Sequence, residues 1–206
     1  MLPQVFRSSE PCGSQVWRSE LTFGRGCRVC IAAESGHGKS SLLSFIYGNR
    51  SDYDGSILFD GKDIRTFGIA DWCRIRRQHI ALLPQELRLF PELTALENID
   101  IKNRLTGYQS RTRIVEMLGI LGIADRADYP CGRMSVGQQQ RVAIVRALCQ
   151  PFDFLLLDEP VSHLDERNNR LVAALVQEEA SRLGAGIIST SVGNPLLLDS
   201  PTEIAL

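Results

Sequence analysis

Apolar residues follow two different patterns along this chain, and the change between them divides it. In the first and last portions they come in short runs bounded by turn residues. Cys27 to Ala32, Ile80 to Leu83, Phe154 to Leu157 and Gly186 to Thr190 are such runs. They are too uniformly apolar to alternate, which is the pattern of parallel strands covered on both faces. Ser56 to Phe59 predicts a short strand between the Asp54-Gly55 and Asp60-Gly61 turns, and Leu21 to Phe23 another ahead of Gly24-Arg25-Gly26. Helices are predicted over Lys39 to Tyr47 and Leu171 to Leu183.

From about Glu86 to Cys149 the pattern turns helical. Thr94-Ala95-Leu96-Glu97 and Ser135-Val136-Gly137-Gln138 both have the form of a capping box, so a helix is predicted to begin at each. Arg111 to Leu121 places Ile114, Val115, Leu118 and Leu121 on one helical face. Strand–helix alternation interrupted by helices predicts a single α/β domain: a core of residues 1–85 and 150–206, and a helical insertion of residues 86–149.

Composition narrows the class of function. Lys and Arg number 23 against 24 Asp and Glu, so no bulk field draws the chain to nucleic acid. No apolar run approaches the ~20 residues of a membrane-spanning helix. The opening Met1-Leu2-Pro3-Gln4 does not read as a signal peptide, so a cytoplasmic location with reduced thiols is expected. Cys27 and Cys30 form a C-x-x-C, but no second pair completes a zinc set. Their segment reads as a strand, where positions three apart point to opposite faces.

The chemistry is carried by two loops. Ala33-Glu34-Ser35-Gly36-His37-Gly38-Lys39-Ser40 lies between a predicted strand and helix and matches the P-loop pattern G-x-x-x-x-G-K-[ST], with Ala33 in the first place. Gly36 and Gly38 let successive N–H groups point into one concavity, and the helix start adds positive potential for phosphate. Lys39 offers a charge to the terminal phosphates, Ser40 a hydroxyl to Mg²⁺, and Ser41 a donor toward the first phosphate. His37 reads as a solvent-facing filler. The second loop follows the apolar strand at Phe154: Asp158 can hold Mg²⁺ through water, and Glu159 can polarise the water that attacks the last phosphate. Parallel strands deliver both loops to one sheet edge.

With these residues in place, nearly the whole chain resembles the ABC ATPase family. Met134-Ser135-Val136-Gly137-Gln138 is similar to the signature L-S-G-G-Q, with Val136 in place of a Gly. The resemblance implies that Ser135, Gly137 and Gln138 cap ATP bound to a second copy. Leu83-Pro84-Gln85 resembles the Q-loop, implying a role for Gln85 at Mg²⁺ and the attacking water, and Ser162-His163-Leu164-Asp165 resembles the D-loop that reaches across the dimer. Phe6, 33 residues before Lys39, is similar in spacing to the adenine-stacking aromatic of the lipoprotein-release and macrolide-export branch. Trp17 competes for that role, although its surroundings read as a strand entering the core. Leu89 to Ile99 also resembles that branch.

In the family a switch His follows the last core strand. Ser191 stands at that place, and the chain closes at Leu206 with little of the usual strand-and-helix tail. The resemblance implies a P-loop NTPase fold of the RecA-like kind, with a mostly parallel sheet, an inserted helical subdomain and a small N-terminal antiparallel part. It further implies ATP and Mg²⁺ as ligands, a homodimer, and permease subunits at the cytoplasmic face of the inner membrane. Three other readings are a soluble non-transport ABC ATPase, an ATP-dependent clamp with little hydrolysis, and a small-molecule kinase. The last offers no reason for the signature and Q-loop segments.

Overall fold

The computed structural model describes residues 1–6, 14–34 and 36–206. Its centre is a five-stranded, all-parallel sheet built from β2 (Arg28–Ala32), β6 (Ile80–Leu83), β7 (Phe154–Asp158), β8 (Gly186–Ser191) and β9 (Thr202–Ala205), in the order β6-β7-β8-β2-β9. Ahead of β2 comes the two-residue strand β1 (Leu2–Pro3), paired antiparallel with β3 (Tyr53–Asp54), and between β3 and β6 lies the hairpin of β4 (Leu58–Phe59) and β5 (Lys62–Asp63). Asp60 (φ 49°) and Gly61 (φ 76°) form the hairpin's turn, both in the left-handed region that a tight two-residue connection requires.

Among the described residues six α-helices cover the sheet: α1 (Lys39–Ile46), α2 (Ile69–Gln78), α3 (Ala95–Asn103), α4 (Arg111–Ile120), α5 (Val136–Ala147) and α6 (Glu166–Leu183). On one face Val29, Ile31, Leu156 and Ile188 pack with Leu42 and Leu43 of α1 and Ile75 of α2. On the other, Leu83, Leu155, Leu157 and Ile187 pack with Ile99, Leu118, Val142, Val145 and Val176 of α3 to α6. Burial from both sides explains the unbroken apolar runs. Cys30 lies buried beside Ser191, while Cys27 packs with the Val29 and Ile31 cluster, so the two thiols do sit on opposite faces. Cys12 lies outside the described residues.

Several local expectations change. Leu21 to Phe23 is not a strand: no ladder among the described residues pairs with its backbone, and Leu21 is 38% exposed. The strand expected over Ser56 to Phe59 shortens to Leu58–Phe59. On α4 the turn toward the core is made by Met117, fully buried, whereas Val115 is 40% exposed. Helix α6 begins earlier than its apolar residues suggest, because the Asp165 carboxylate accepts from Asn168 N at 2.8 Å and caps a polar first turn. Both capping boxes form. Thr94 Oγ accepts from Glu97 N and Ser135 Oγ from Gln138 N, while each Glu or Gln side chain takes the cap residue's own N–H.

Candidate functional site

Strands β2 and β7 flank β8, and all three run the same way, so their C-terminal ends open on one edge. The loop after β2 leads into Lys39 at the start of α1, β7 ends in Asp158 with Glu159 following it, and β8 ends in Ser191. Gly36 (φ +87°) and Gly38 (φ +92°) both take left-handed backbone, and Gly38 caps α1. A Cβ on Gly38 would come within 3.0 Å of both the Phe6 and Trp17 rings, so a side chain there would collide as well as strain the backbone.

Lys39 is 5% exposed, and its ammonium donates to Ala33 O at 2.8 Å and Glu34 O at 2.7 Å. Burial pushes its pKa down, and the negative fields of Glu159 and Asp158 push it back up. Lysine and acids therefore face each other across the same edge. Ser40 Oγ lies 3.4 Å from Gln85 Oε1, which brings the P-loop hydroxyl and the exposed Gln85 together. Ser40, Gln85 and the buried Asp158 are all oxygen donors, a set that fits a hard ion such as Mg²⁺. Among the described residues no group of three His, Cys, Asp or Glu side chains offers a softer site.

The acids are held by a residue the sequence reading passed over. Thr190 on β8 donates its hydroxyl to Asp158 Oδ1 at 2.8 Å and accepts from Glu159 N at 3.2 Å. Glu159 itself sits at φ 50°, a left-handed conformation that is unusual for a side chain of this size. Its carbonyl accepts from Gln140 Nε2 on α5 at 3.0 Å. A polar run, Ser189-Thr190-Ser191, at the end of an otherwise apolar strand was the signal for Thr190. For Gln140, 2% exposed, none separates it from its neighbours Gln138 and Gln139.

The remaining candidates are placed as follows. Ser191 pairs with Ala32 in the sheet, its carbonyl accepts from Ala33 N at 3.4 Å, and its buried hydroxyl lies 3.8 Å from Cys30 Sγ. Ser41 Oγ accepts from Arg50 at 2.8 Å. His37 is exposed and Glu34 lies at the surface of the loop, while Ser35 lies outside the described residues. Phe6 is half-buried, with its ring centroid 6.3 Å from that of Trp17, and Trp17 sits in a turn, not a strand, with Nε1 3.4 Å from His37 O. Ser135, Gly137 and Gln138 open α5, where a Cβ on Gly137 would meet His163 O at 3.0 Å. Beyond Gln85, Arg146 of α5 donates to Leu87 O and, at 2.7 Å, to Arg88 O; both of those residues have positive φ.

Comparison with known proteins identifies the family. The family model for the ABC transporter matches residues 17–162. The chain is 34% identical over 161 residues to the ABC transporter ATP-binding protein YtrE of Bacillus subtilis, covering 77% of this chain and 70% of that protein. It is also 34% identical over 173 residues to the macrolide export ATP-binding/permease protein MacB of Salmonella choleraesuis, covering 82% of this chain but only 27% of that longer protein. Among solved structures, the dimeric bacterial ABC transporter cassette MJ0796 superposes with a TM-score of 0.75 at 28% identity, covering 83% of this chain and 77% of that one. A post-hydrolysis dimer of the same cassette, bound to ADP and Pi, superposes equally well at 29% identity. Fold and sequence agree: this chain belongs to the ABC transporter family, as an ATP-binding cassette of its ATPase subunits.

Proposed function

We propose that two copies of this chain enclose ATP between the phosphate loop of one and the signature segment of the other, and hydrolyse it to drive a membrane permease. The observation that carries the reading is the shared edge, on which Lys39 and Ser40 face Asp158 and Glu159. In this proposal the amides of residues 34–39 and the Lys39 ammonium hold the β- and γ-phosphates, Ser41 approaches the α-phosphate, and the Phe6 ring stacks on the adenine. Ser40, Gln85 and Asp158 hold Mg²⁺, which when bound supplies positive charge to the phosphate oxygens. Glu159 accepts the proton of the water that attacks the γ-phosphorus as the bond to the ADP oxygen breaks, giving ADP and phosphate. Ser191, at the switch position, acts through a bridging water. Ser135, Gly137 and Gln138 close on the γ-phosphate held by the other copy.

The resemblance to YtrE and MacB supports a transport role and a cytoplasmic site on the membrane face, with export favoured by the MacB likeness. No helix among the described residues is long and apolar enough to cross a membrane, so the coupling would run through a separate or fused permease. The decisive assay is ATP turnover by the purified chain. Wild-type turnover no faster than that of Glu159→Gln would remove hydrolysis from the reading. The same result would favour the second one, an ATP-dependent clamp, which the burial of Ser191 against Cys30 recommends. Co-purification with a polytopic membrane protein tests the transport half, and loss of that association on pull-down would leave a soluble ATPase.

A further inference from the structure

Gln140 sits on α5 five residues beyond the Ser135 cap, about one and a half turns along the helix. It is 2% exposed and uses both of its donors and its carbonyl oxygen. Nε2 donates to Glu159 O at 3.0 Å and to Ser162 Oγ at 3.3 Å, and Oε1 accepts from His163 N at 3.2 Å. One amide thus joins three points of the segment that follows β7.

What it holds is a strained peptide. Glu159 lies in the left-handed region, which a non-glycine residue occupies only when its surroundings impose it. Thr190 fixes the Glu159 N–H from β8, and Gln140 fixes its carbonyl from α5. The start of α5 also rests directly on this segment, since a Cβ on Gly137 would reach His163 O at 3.0 Å and Leu164 Cδ2 at 3.3 Å. Displacement of α5 is therefore passed to the glutamate by hydrogen bonds on one side and by contact on the other.

We propose that Gln140 is a positioning residue that links the two ATP sites of the dimer. The inference rests on the sandwich reading above. In that arrangement the start of α5 in one copy touches the phosphate bound by its partner, while the Glu159 held by the same helix serves the copy's own phosphate. Capture of ATP at the first site seats α5, and Gln140 then sets Glu159 at the second. Hydrolysis by wild type depends sigmoidally on ATP for this reason.

The test measures steady-state hydrolysis against ATP concentration for wild type, Gln140→Met, Gln140→Glu and Ser162→Ala, together with binding of a fluorescent ATP analogue and thermal unfolding. Met keeps the volume and removes every hydrogen bond. Glu keeps the acceptor for His163 and loses both donors. The expected result for both Gln140 variants is a kcat lower by about 10- to 100-fold, the scale of a displaced catalytic group. Analogue affinity stays within about 2-fold, and the Hill coefficient drops to about 1. Unchanged kcat, an unchanged Hill coefficient, or affinity falling in parallel with kcat would each overturn the assignment. Ser162 is exposed, so Ser162→Ala folds even where the core variants do not. It should lower kcat and the Hill coefficient partway, and wild-type behaviour there counts against Gln140 equally. If wild type itself does not exceed Glu159→Gln, the hydrolytic reading falls and takes this inference with it; wild-type turnover surviving in Gln140→Met removes this inference alone.

Discussion

Replacing Glu159 by Gln keeps the side chain's size and its backbone bonds to Thr190 and Gln140 but removes the proton acceptor. The expected outcome is a kcat lower by about 100-fold or more, the usual worth of a general base, with ATP affinity measured by calorimetry nearly unchanged. Ser191→Ala removes a hydroxyl that is buried against Cys30 Sγ, so its loss should be smaller, about 2- to 10-fold in kcat; an effect as large as that of Glu159→Gln would give Ser191 the full weight of a switch residue. At this scale the sequence disclosed the reactive groups because P-loop chemistry demands particular residue types at fixed spacing, as with Lys39 and Ser40 after Gly36 and Gly38. It did not disclose Thr190 or Gln140. Any residue able to donate and accept would serve there, and only the folded register brings them against Asp158 and Glu159.

Two helices with the same kind of cap allow stability to be separated from function. Thr94→Ala and Ser135→Ala each delete the hydroxyl's hydrogen bond of a reciprocal pair and keep the backbone one, at a cost of about 1 kcal/mol in unfolding free energy by denaturant titration. Only Ser135→Ala should also lower turnover, because α5 alone opens toward the proposed dimer contact; equal activity losses would show that the signature segment acts merely as a helix start. The caps were legible since four residues suffice to form them. Helix α2 was not, because Ile75 is its one buried residue and a single apolar position has no period. Strand β9 escaped for a similar reason: it contributes only Ile204 to the core and is held by its ladder to β2. Leu21 to Phe23 shows the converse, β-prone residues that have no strand beside them among the described residues.

For the molecule as a whole, the proposed sandwich requires that association follow nucleotide. Glu159→Gln with ATP should sediment as a dimer and revert to monomer when ATP is removed, whereas Lys39→Ala should remain monomeric at every ATP concentration; a dimer that ignores nucleotide would contradict the arrangement. Stability should also vary with pH through Lys102. Burial, with the charges of Arg146 and Arg76 nearby, lowers its pKa from 10.5 to about 8. The unfolded chain then holds more protons than the folded one between those two values, so folding stability rises as pH climbs from about 8 toward 10.5, and the full cost of the buried charge is felt below 8. Lys102→Met should therefore flatten the alkaline rise of the unfolding midpoint and raise that midpoint at pH 7 by about 2–4 °C, the effect of about 1 kcal/mol in a chain of this size. An unaltered pH profile would place Lys102 in water.

An ammonium has three hydrogens, and Lys39 spends two of them on the carbonyls of Ala33 and Glu34. The same nitrogen is thus both the clasp that closes the glycine turn on itself and the hand left to greet an anion with its last N–H. Arginine at this place would preserve the charge yet spread its donors in a flat fan, unable to clasp and greet from one point. Charge alone is not what the position selects.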